Sequence, residues 1–288
     1  MLAQTLDDFE LIVVDDGSSD ATAQIARSFE KDRRVRVCEQ PNQGTAGARN
    51  SGVREAGGCH VSFLDNDDLW MPIYLEAMAA TLDGMTNAGF AYADGWLLDD
   101  ESGRIHRRTA LQRVGAPFPA PAEPREFLLR LVERTFIRSA TTIPRLVLEE
   151  VGEFDTALSG IDDFDLWVRI LAAGHRAAQA PGMLLIFRDR PDSLSKQSLR
   201  MVEGRREVLR RVASTYPVPT EIKRAAVAQL PALDRLAAAI SGRSAVGALL
   251  LRARLRLGTL HRALMSRRRF RRKPPSELTA VFGDSARL

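Results

Sequence analysis

Two apolar segments of this chain each end in a turn that is rich in aspartate. The first segment covers residues 9–14 and runs into residues 15–17 (DDG), and the second covers residues 61–63 and runs into residues 64–68 (LDNDD). Continuous apolar runs of this length, rich in β-branched residues, predict strands that are buried on both faces. Because α/β folds bind ligands at the carboxyl ends of their strands, the two turns predict an acidic ligand site at one edge of a sheet.

The segments around these strands alternate between strand and helix. Residues 21–29 have helical spacing, residues 35–37 are typical of a short strand, and the glycine-bearing loop 42–50 leads into another helix. This rhythm predicts βαβ units and a mainly parallel sheet flanked by helices. Further along, the pattern predicts an exposed proline-rich loop at 116–124, helices at 126–132 and 163–173, and a helical region from residue 201 that Pro217, Pro219 and Pro231 punctuate.

Length and composition limit the class of protein. The 288 residues, 45% of them hydrophobic, suffice for one α/β domain, which we assign to residues 1–198, and a helical extension at 199–288. No run reaches the ~18 consecutive apolar residues of a membrane span. The acidic start does not resemble a signal peptide, and two cysteines, Cys38 and Cys59, make no disulfide framework. We therefore expect a cytoplasmic protein.

Charge is distributed unevenly along the chain. The net charge is +4, but the segment from Met201 onward holds 19 Lys and Arg against 6 Asp and Glu. Residues 246–264 place leucine and valine on one helical stripe, and residues 267–273 (RRRFRRK) follow as a basic cluster. One interpretation is peripheral docking on an anionic membrane at its inner face. The other is a helix packed on its own domain; nucleic-acid binding is disfavoured because no aromatic stacking pattern accompanies the charge.

The turn at residues 64–68 carries three carboxylates within four positions. Like charges this close repel one another unless a cation or solvent neutralises them. Carboxylate oxygens select hard cations, so the turn predicts a Mg²⁺ or Mn²⁺ site that also binds phosphate. The alternative is a solvated acidic turn with no ligand.

Several motifs in a fixed order give the chain a family resemblance. They are residues 12–20 (IVVDDGSSD), 42–50 (NQGTAGARN), 63–70 (FLDNDDLW), 151–155 (VGEFD) and 162–169 (DDFDLWVR). Together they resemble the family 2 glycosyltransferases over roughly residues 2–195. The resemblance implies the GT-A fold, which is a Rossmann-like nucleotide-diphospho-sugar transferase fold. It further implies a hexosyltransferase-type enzyme that transfers a sugar with inversion. The implied donor is a nucleotide sugar, above all a UDP-sugar, and the implied acceptor is a hydroxyl of a glycan or lipid-linked molecule. The implied pathway is the synthesis of cell-envelope polysaccharide or glycolipid.

The resemblance also implies roles for individual acids. Asp67 is expected to ligate the metal, with Asp65 next. Asp15, Asp16 and Asp65 are expected to contact the nucleotide, and Asp16 is favoured as the residue that contacts the base. Asp163 is expected to act as the general base, although Asp162 stands where the family usually has glutamate. A structural alternative stays open for each group, because aspartate at these positions also caps helices.

Three arginines are candidates for binding the nucleotide or its diphosphate. Arg49 lies after a glycine-bearing loop and either pairs with phosphate or forms a buried strut to carboxylates. Arg188 and Arg190 lie in a segment similar to the family's closing aromatic-arginine motif, where many members carry histidine at the position of Arg190. A role for them in diphosphate contact competes with a simple exposed basic loop.

The family normally opens with a buried strand and a helix ahead of the segment where this sequence starts. Residues 1–6 resemble the end of that helix. Strands next to the omitted one are therefore expected to show unpaired backbone groups. A start assigned too far downstream and a truncated gene both explain this, and the rival functions are a non-catalytic remnant and a sugar nucleotidyltransferase. The enzymatic reading requires the acids to converge on one cleft.

Overall fold

A computed structural model describes residues 1–117, 119–138, 140–158, 160–190, 198–242 and 278. The strands are β1 (Leu11–Asp15), β2 (Val35–Glu39), β3 (His60–Ser62), β4 (Leu69–Trp70), β5 (Ala88–Asp99), β6 (Arg104–Ile105), β7 (Thr141–Pro144) and β8 (Arg176–Asp189). The helices are α1 (Thr22–Arg27), α2 (Gly44–Glu55), α3 (Tyr74–Asp83), α4 (Ala110–Val114), α5 (Pro124–Glu133), α6 (Arg145–Val151), α7 (Asp162–Ala172), α8 (Ser198–Ser214) and α9 (Thr220–Ile240), and a 3₁₀ turn covers Thr156–Leu158.

The strands form two separate sheets within the described part of the chain. β1 and β2 pair in parallel, and the larger sheet has the order β3-β7-β5-β8-β4, with β6 on β5. In the larger sheet only β5 and β8 are parallel, whereas β3 with β7, β7 with β5, β4 with β8 and β5 with β6 are antiparallel. The α/β fold is confirmed, but the prediction of a mainly parallel sheet is wrong. β7 inserts between β3 and β5 in the reverse direction, and no local pattern encodes that insertion.

Helices cover both faces of the larger sheet. Along β5, Phe90 and Tyr92 point into a core with α5, α6, α7 and α8, while Ala91 and Ala93 point to the other face, against α3. This alternation is the two-residue period of a strand. The first core is rich in aromatic contacts: the rings of Phe90 and Trp167 lie 6.2 Å apart, which fixes α7 on the sheet.

A large cavity separates β1 from β3. It has a volume of about 2180 Å³, and residues of both strands line it, with α2 and α3 contributing further walls. Among the described residues, β1 pairs only with β2, and β3 pairs only with β7. The strand edges that were expected to be unpaired therefore belong to this cavity. The apolar side chains of β1 were predicted to be buried on both faces, but they are partly exposed because of this opening. The last residue of the strand, Asp15, is buried.

The helical region after β8 packs on the α/β core. Val208, Leu209 and Val212 of α8 and Ile222 of α9 are fully buried in the same core as α5 and α7. Pro231 was predicted to punctuate the helix, but α9 continues through it. Loss of one backbone hydrogen bond at Pro231 is offset by packing of Leu230 and Leu233 on the core.

The tail features predicted from sequence, the stripe at 246–264 and the basic cluster at 267–273, lie outside the described residues. None of the described helices is both long enough and apolar enough to span a membrane.

Close packing between β5 and β8 depends on Gly95. A β-carbon at Gly95 meets the β-carbon of Leu185 at 2.6 Å and its carbonyl oxygen at 2.7 Å. We expect Gly95→Ala to force the two strands apart and to lower the free energy of unfolding by about 1–3 kcal/mol. The matched control is Gly52→Ala in α2, where the nearest atom is 3.6 Å away. That change is expected to raise stability by about 0.5–1 kcal/mol. Urea denaturation measures both variants, and equal stabilities contradict the packing argument.

Candidate active site

The candidate residues lie on separate elements and line one cavity. Asp15 and Asp16 come from the end of β1, Asp65 and Asp67 from the turn after β3, Asp163 from the first turn of α7, Arg49 from α2, and Arg188 and Arg190 from the end of β8 and the residue after it. Convergence of acids from β1, β3 and α7 is the geometry that the enzymatic interpretation requires. The cavity is the same one that separates the two sheets.

Hydrogen bonds at the end of β1 distinguish Asp15 from Asp16. Asp16 accepts from the Gln40 side-chain amide at 2.7 Å and from the Gln43 backbone N–H at 2.8 Å, so its carboxylate fixes the approach of two loops. Asp15 is buried and accepts from the Ser18 N–H at 3.3 Å through one oxygen. Its other oxygen has no partner in the described structure. Asp15 therefore has a free acceptor oxygen, whereas the sequence favoured Asp16 as the residue that contacts the base.

The acidic turn after β3 is closed by its own backbone. The Asp68 N–H donates to the Asp65 carbonyl at 3.1 Å, and Asp68 accepts from the Arg188 N–H through its side chain. Burial, followed by the charge of Asp65, raises the pKa of Asp68 to about 7. Asp67 lines the cavity and makes no hydrogen bond or ion pair with any residue that the structure describes. Its carboxylate is thus open to a ligand.

A preassembled cation site is absent from the described residues, since no group of three metal-ligating side chains converges there. This arrangement fits Mg²⁺ or Mn²⁺, which bind through one or two carboxylates and complete their coordination with water and substrate phosphate. Asp67 and Asp65 supply oxygen donors of the right chemistry at one wall of the cavity.

Arg49 forms the strut that was one of its two expected roles. It donates to Asp162 at 2.7 Å and to Asp65 at 2.9 Å, and its guanidinium lies 5.6 Å from the centre of the Phe154 ring. Burial opposes the charge on Arg49, but the neighbouring carboxylates outweigh it and raise its pKa. With two carboxylates already paired to it, Arg49 ties the turn after β3 to the start of α7.

The two acids at the start of α7 have different surroundings. Asp162 is fully buried, pairs with Arg49 and accepts the Gly160 N–H at 2.9 Å. Asp163 is partly exposed in the cavity and accepts the Phe164 N–H at 2.6 Å. Desolvation raises the pKa of Asp163 to about 7; Arg49 opposes this and Asp162 adds to it. Asp162 is thus tied into the fold by Arg49, whereas Asp163 faces the cavity with a raised pKa.

Arg188 and Arg190 line the cavity at the end of β8. The Arg188 guanidinium pairs with Asp100 through two nitrogens, the longer contact being 2.9 Å. Its charge is therefore partly offset before any phosphate binds. Residues 191–197, which complete this motif, lie outside the described residues.

Sequence reasoning missed two residues that shape the site. Arg138 lines the cavity, lies 4.7 Å from the centre of the Phe187 ring and is placed near Asp68. No motif surrounds it, so no sequence signal was present. Asn50 exchanges two hydrogen bonds of 2.9 Å with the Phe154 backbone, which secures the ring beneath Arg49. Its signal was its position directly after Arg49.

Replacement of the two acids at the start of α7 is expected to change stability in opposite directions. Because the pKa of folded Asp163 lies above its ordinary value of 3.8, its charge costs stability as the pH rises from about 4 to about 7. Asp163→Asn is neutral and can still accept from Phe164, so we expect a higher melting temperature at pH 8 and no gain near pH 4. Asp162→Asn breaks a buried ion pair and is expected to cost roughly 3–5 kcal/mol. Thermal melts from pH 4 to 8 measure both; a destabilised Asp163→Asn at pH 8 contradicts the assignment.

The family model described as glycosyl transferase family 2 matches residues 1–137. An uncharacterized glycosyltransferase of Rickettsia felis is 30% identical over 173 residues, which cover 59% of this chain and 28% of that protein. Glycosyltransferase GlyA of Streptococcus pneumoniae is 39% identical over 79 residues, covering 27% of this chain and 11% of that protein. The matched segments thus span about a quarter or less of these two relatives.

Two solved structures show the same fold. S. aureus TarS 1-349 in complex with UDP-GlcNAc has a TM-score of 0.61 at 19% identity and covers 80% of this chain and 65% of its own. The mannosyltransferase PcManGT from Pyrobaculum calidifontis, in complex with GDP-Man and Mn²⁺, has a TM-score of 0.56 at 21% identity and covers 99% of this chain and 77% of its own. The expected glycosyltransferase fold is confirmed, and residues 1–137 of this chain match the model of glycosyl transferase family 2.

Proposed function

We propose that this protein transfers a sugar, with inversion, from a nucleotide-diphosphate donor to an acceptor hydroxyl. The observation that carries the proposal is the single cavity lined by Asp15, Asp65, Asp67 and Asp163 together. These acids come from three elements that are far apart in sequence. The match of residues 1–137 to glycosyl transferase family 2 supports glycosyl transfer over nucleotidyl transfer, the rival considered from sequence.

The donor is a nucleotide sugar, with UDP-sugars as the first class to test. The TarS structure holds UDP-GlcNAc and the PcManGT structure holds GDP-Man, so both donors are reasonable probes. In this chain Asp15 offers a buried carboxylate oxygen without a partner among the described residues. A base N–H or a ribose hydroxyl satisfies such an acceptor, and the neighbouring Asp16 holds the surrounding loops.

The chemical step is a single displacement. The acceptor oxygen attacks the anomeric carbon as Asp163 takes the hydroxyl proton, and the bond from that carbon to the diphosphate oxygen breaks. Attack from the face opposite the leaving group inverts the anomeric centre. A pKa of about 7 suits this proton transfer, because a base near the working pH is both deprotonated and basic enough.

The leaving diphosphate needs positive charge around it. A Mg²⁺ or Mn²⁺ ion would supply that charge, and Asp67 and Asp65 are the residues that would hold it. Arg188 and Arg190 line the same cavity and add fixed cations near the diphosphate. Arg49 holds Asp65 in place by donating a hydrogen bond to its carboxylate.

A second candidate is a fold that binds nucleotide without turnover. The gap between β1 and β3 favours it, since the nucleotide end of the site borders strands whose facing edges have no partner in the described chain. Calorimetry with UDP and Mn²⁺, combined with a turnover assay, separates the two candidates. Both the enzyme and the non-catalytic protein are expected to bind UDP, but only the enzyme is expected to release sugar from the nucleotide sugar.

An acceptor and a cellular location complete the proposal. We propose a glycan or lipid-linked acceptor and a cytoplasmic protein that contacts the inner face of the membrane peripherally. The excess of basic residues after Met201 supports attraction to anionic headgroups. No nucleic-acid partner is proposed.

Metal-dependent turnover is expected to depend on Asp67. Asp67→Ala removes a metal oxygen ligand and is expected to lower Mn²⁺-dependent hydrolysis of UDP-GlcNAc or GDP-mannose at least about 100-fold, since metal stabilisation is worth several kcal/mol. The matched control is Asn66→Ala, an exposed neighbour in the same turn that also lines the cavity. Undiminished hydrolysis by Asp67→Ala, measured as released nucleotide, refutes the metal assignment.

Transfer is expected to require Asp163 more than binding does. Asp163→Asn is expected to retain UDP affinity and to lose about 10²- to 10⁴-fold in turnover. In the unchanged protein, kcat/KM is expected to rise with pH and to level off above about pH 7, as Asp163 loses its proton. Calorimetry gives the affinity and steady-state assays give the rate. Equal losses of UDP binding and turnover indicate a purely structural role for Asp163.

A further inference from the structure

A second group of charged residues lies behind the site. We call it the Asp165 cluster: Asp155, Asp165, Arg169, Arg211 and Tyr216. None of the five lines the cavity, so none contacts a substrate bound there. The cluster joins α7, which carries Asp163, to α8 and to the residues just after it.

Asp165 is the centre of this cluster and is almost fully buried. It accepts from Arg169 at 2.9 Å and from the Tyr216 hydroxyl, and the Arg211 guanidinium lies 3.7 Å away. Arg211 in turn donates to Asp155 at 2.6 Å. A buried carboxylate with these partners is costly to leave unpaired, so the contacts fix the relative position of α7 and α8.

Arg169 extends the cluster toward the site. Its guanidinium donates to the backbone carbonyls of Val151 at 2.6 Å, Gly152 at 3.1 Å and Glu153 at 2.8 Å. These three residues lead directly to Phe154, whose ring lies beneath Arg49. A continuous series of contacts thus runs from α8 through Arg169 and the 151–154 segment to Arg49.

A second contact between α8 and the start of α7 is direct. Gly204 of α8 approaches Ile161 so closely that a β-carbon there meets the Ile161 side chain at 2.4 Å. Ile161 immediately precedes Asp162 and Asp163, and the guanidinium of Arg205 lies 5.2 Å from the centre of the Phe164 ring. The first turn of α7 therefore rests on α8 from one side and on Arg49 from the other.

We propose that α8 positions α7, the helix that carries the base, with Arg211 and Tyr216 as positioning residues that act on Asp163 through Asp165. This inference rests on the proposed function and deepens it. Small displacements of a proton acceptor cost large factors in rate, so loosening the cluster is expected to lower turnover while nucleotide contacts at β1 stay intact.

The test compares Arg211→Met with Arg210→Met. Arg210 lies on the same helix, is exposed and has only a 4.0 Å contact with Asp234, so it controls for loss of an α8 charge. We expect Arg211→Met to lose tenfold or more in kcat, with unchanged affinity for UDP and Mn²⁺, and Arg211→Lys to recover part of the loss. Tyr216→Phe, which removes only the hydroxyl, is expected to show a smaller loss of the same kind.

Hydrogen–deuterium exchange gives a readout that does not need turnover. Peptides covering residues 156–168 are expected to exchange several-fold faster in Arg211→Met than in Arg210→Met, while those covering residues 11–20 are unchanged. Unchanged exchange at 156–168 overturns the inference whether or not the protein turns over. Equal loss of UDP affinity and kcat also overturns it, because that indicates general unfolding. Absence of turnover in the unchanged protein refutes the proposed function alone.

Discussion

The ion pairs of Arg49 hold the candidate site together. Asp65 follows β3, Asp162 begins α7, and the Arg49 guanidinium bridges them, at 2.9 and 2.7 Å. Without that cation, two carboxylates from separate elements would lie close together in a partly buried environment, where like charges repel one another. Once Arg49 is in place, the turn after β3 and the first turn of α7 share one rigid reference point. The spacing of the acids is thus set by a residue that contacts no reacting atom in the proposed mechanism.

Arg49 itself is positioned by contacts that reach back into the core. Asn50 clasps the Phe154 backbone through two hydrogen bonds, and Phe154 presents its ring to the guanidinium and to Phe63. The aromatic packing of Trp167 against Phe90 fixes α7 to the sheet on its far side. Helices α8 and α9, which a reading by composition separates from the domain, bury their apolar faces in this same core. The chemistry at the cavity therefore depends on packing spread over most of the described chain.

Local sequence patterns predicted what depends on local physics. The apolar runs that end in aspartate and the helical spacing of α5 and α7 follow from strand and helix periodicity. The choice of Asp67 and Asp163 came from the family resemblance, and both residues line the same cavity as Asp16. The direction of β7 was not predictable, because strand order depends on long-range packing. The choice of Asp163 over Asp162 came from the family resemblance and not from local physics, because two adjacent aspartates are chemically equal until the rotation of α7 buries one of them. Continuation of α9 through Pro231 likewise reflects tertiary packing that overrides a local preference.

The raised pKa values at the cavity follow from burial and from the arrangement of charged residues. Burial raises the pKa values of Asp68 and Asp163 to about 7, and the neighbouring carboxylates of Asp65 and Asp162 add to the two shifts, respectively, while Arg49 opposes the shift at Asp163. Such groups lower stability at neutral pH, so a fold selected only for stability gains by replacing them. They lie beside Asp67, which has no partner among the described residues, and beside Asp15, which has one unpartnered buried oxygen. The nucleotide diphosphate and cation of the proposed function would supply the donors and the positive charge that the described residues lack.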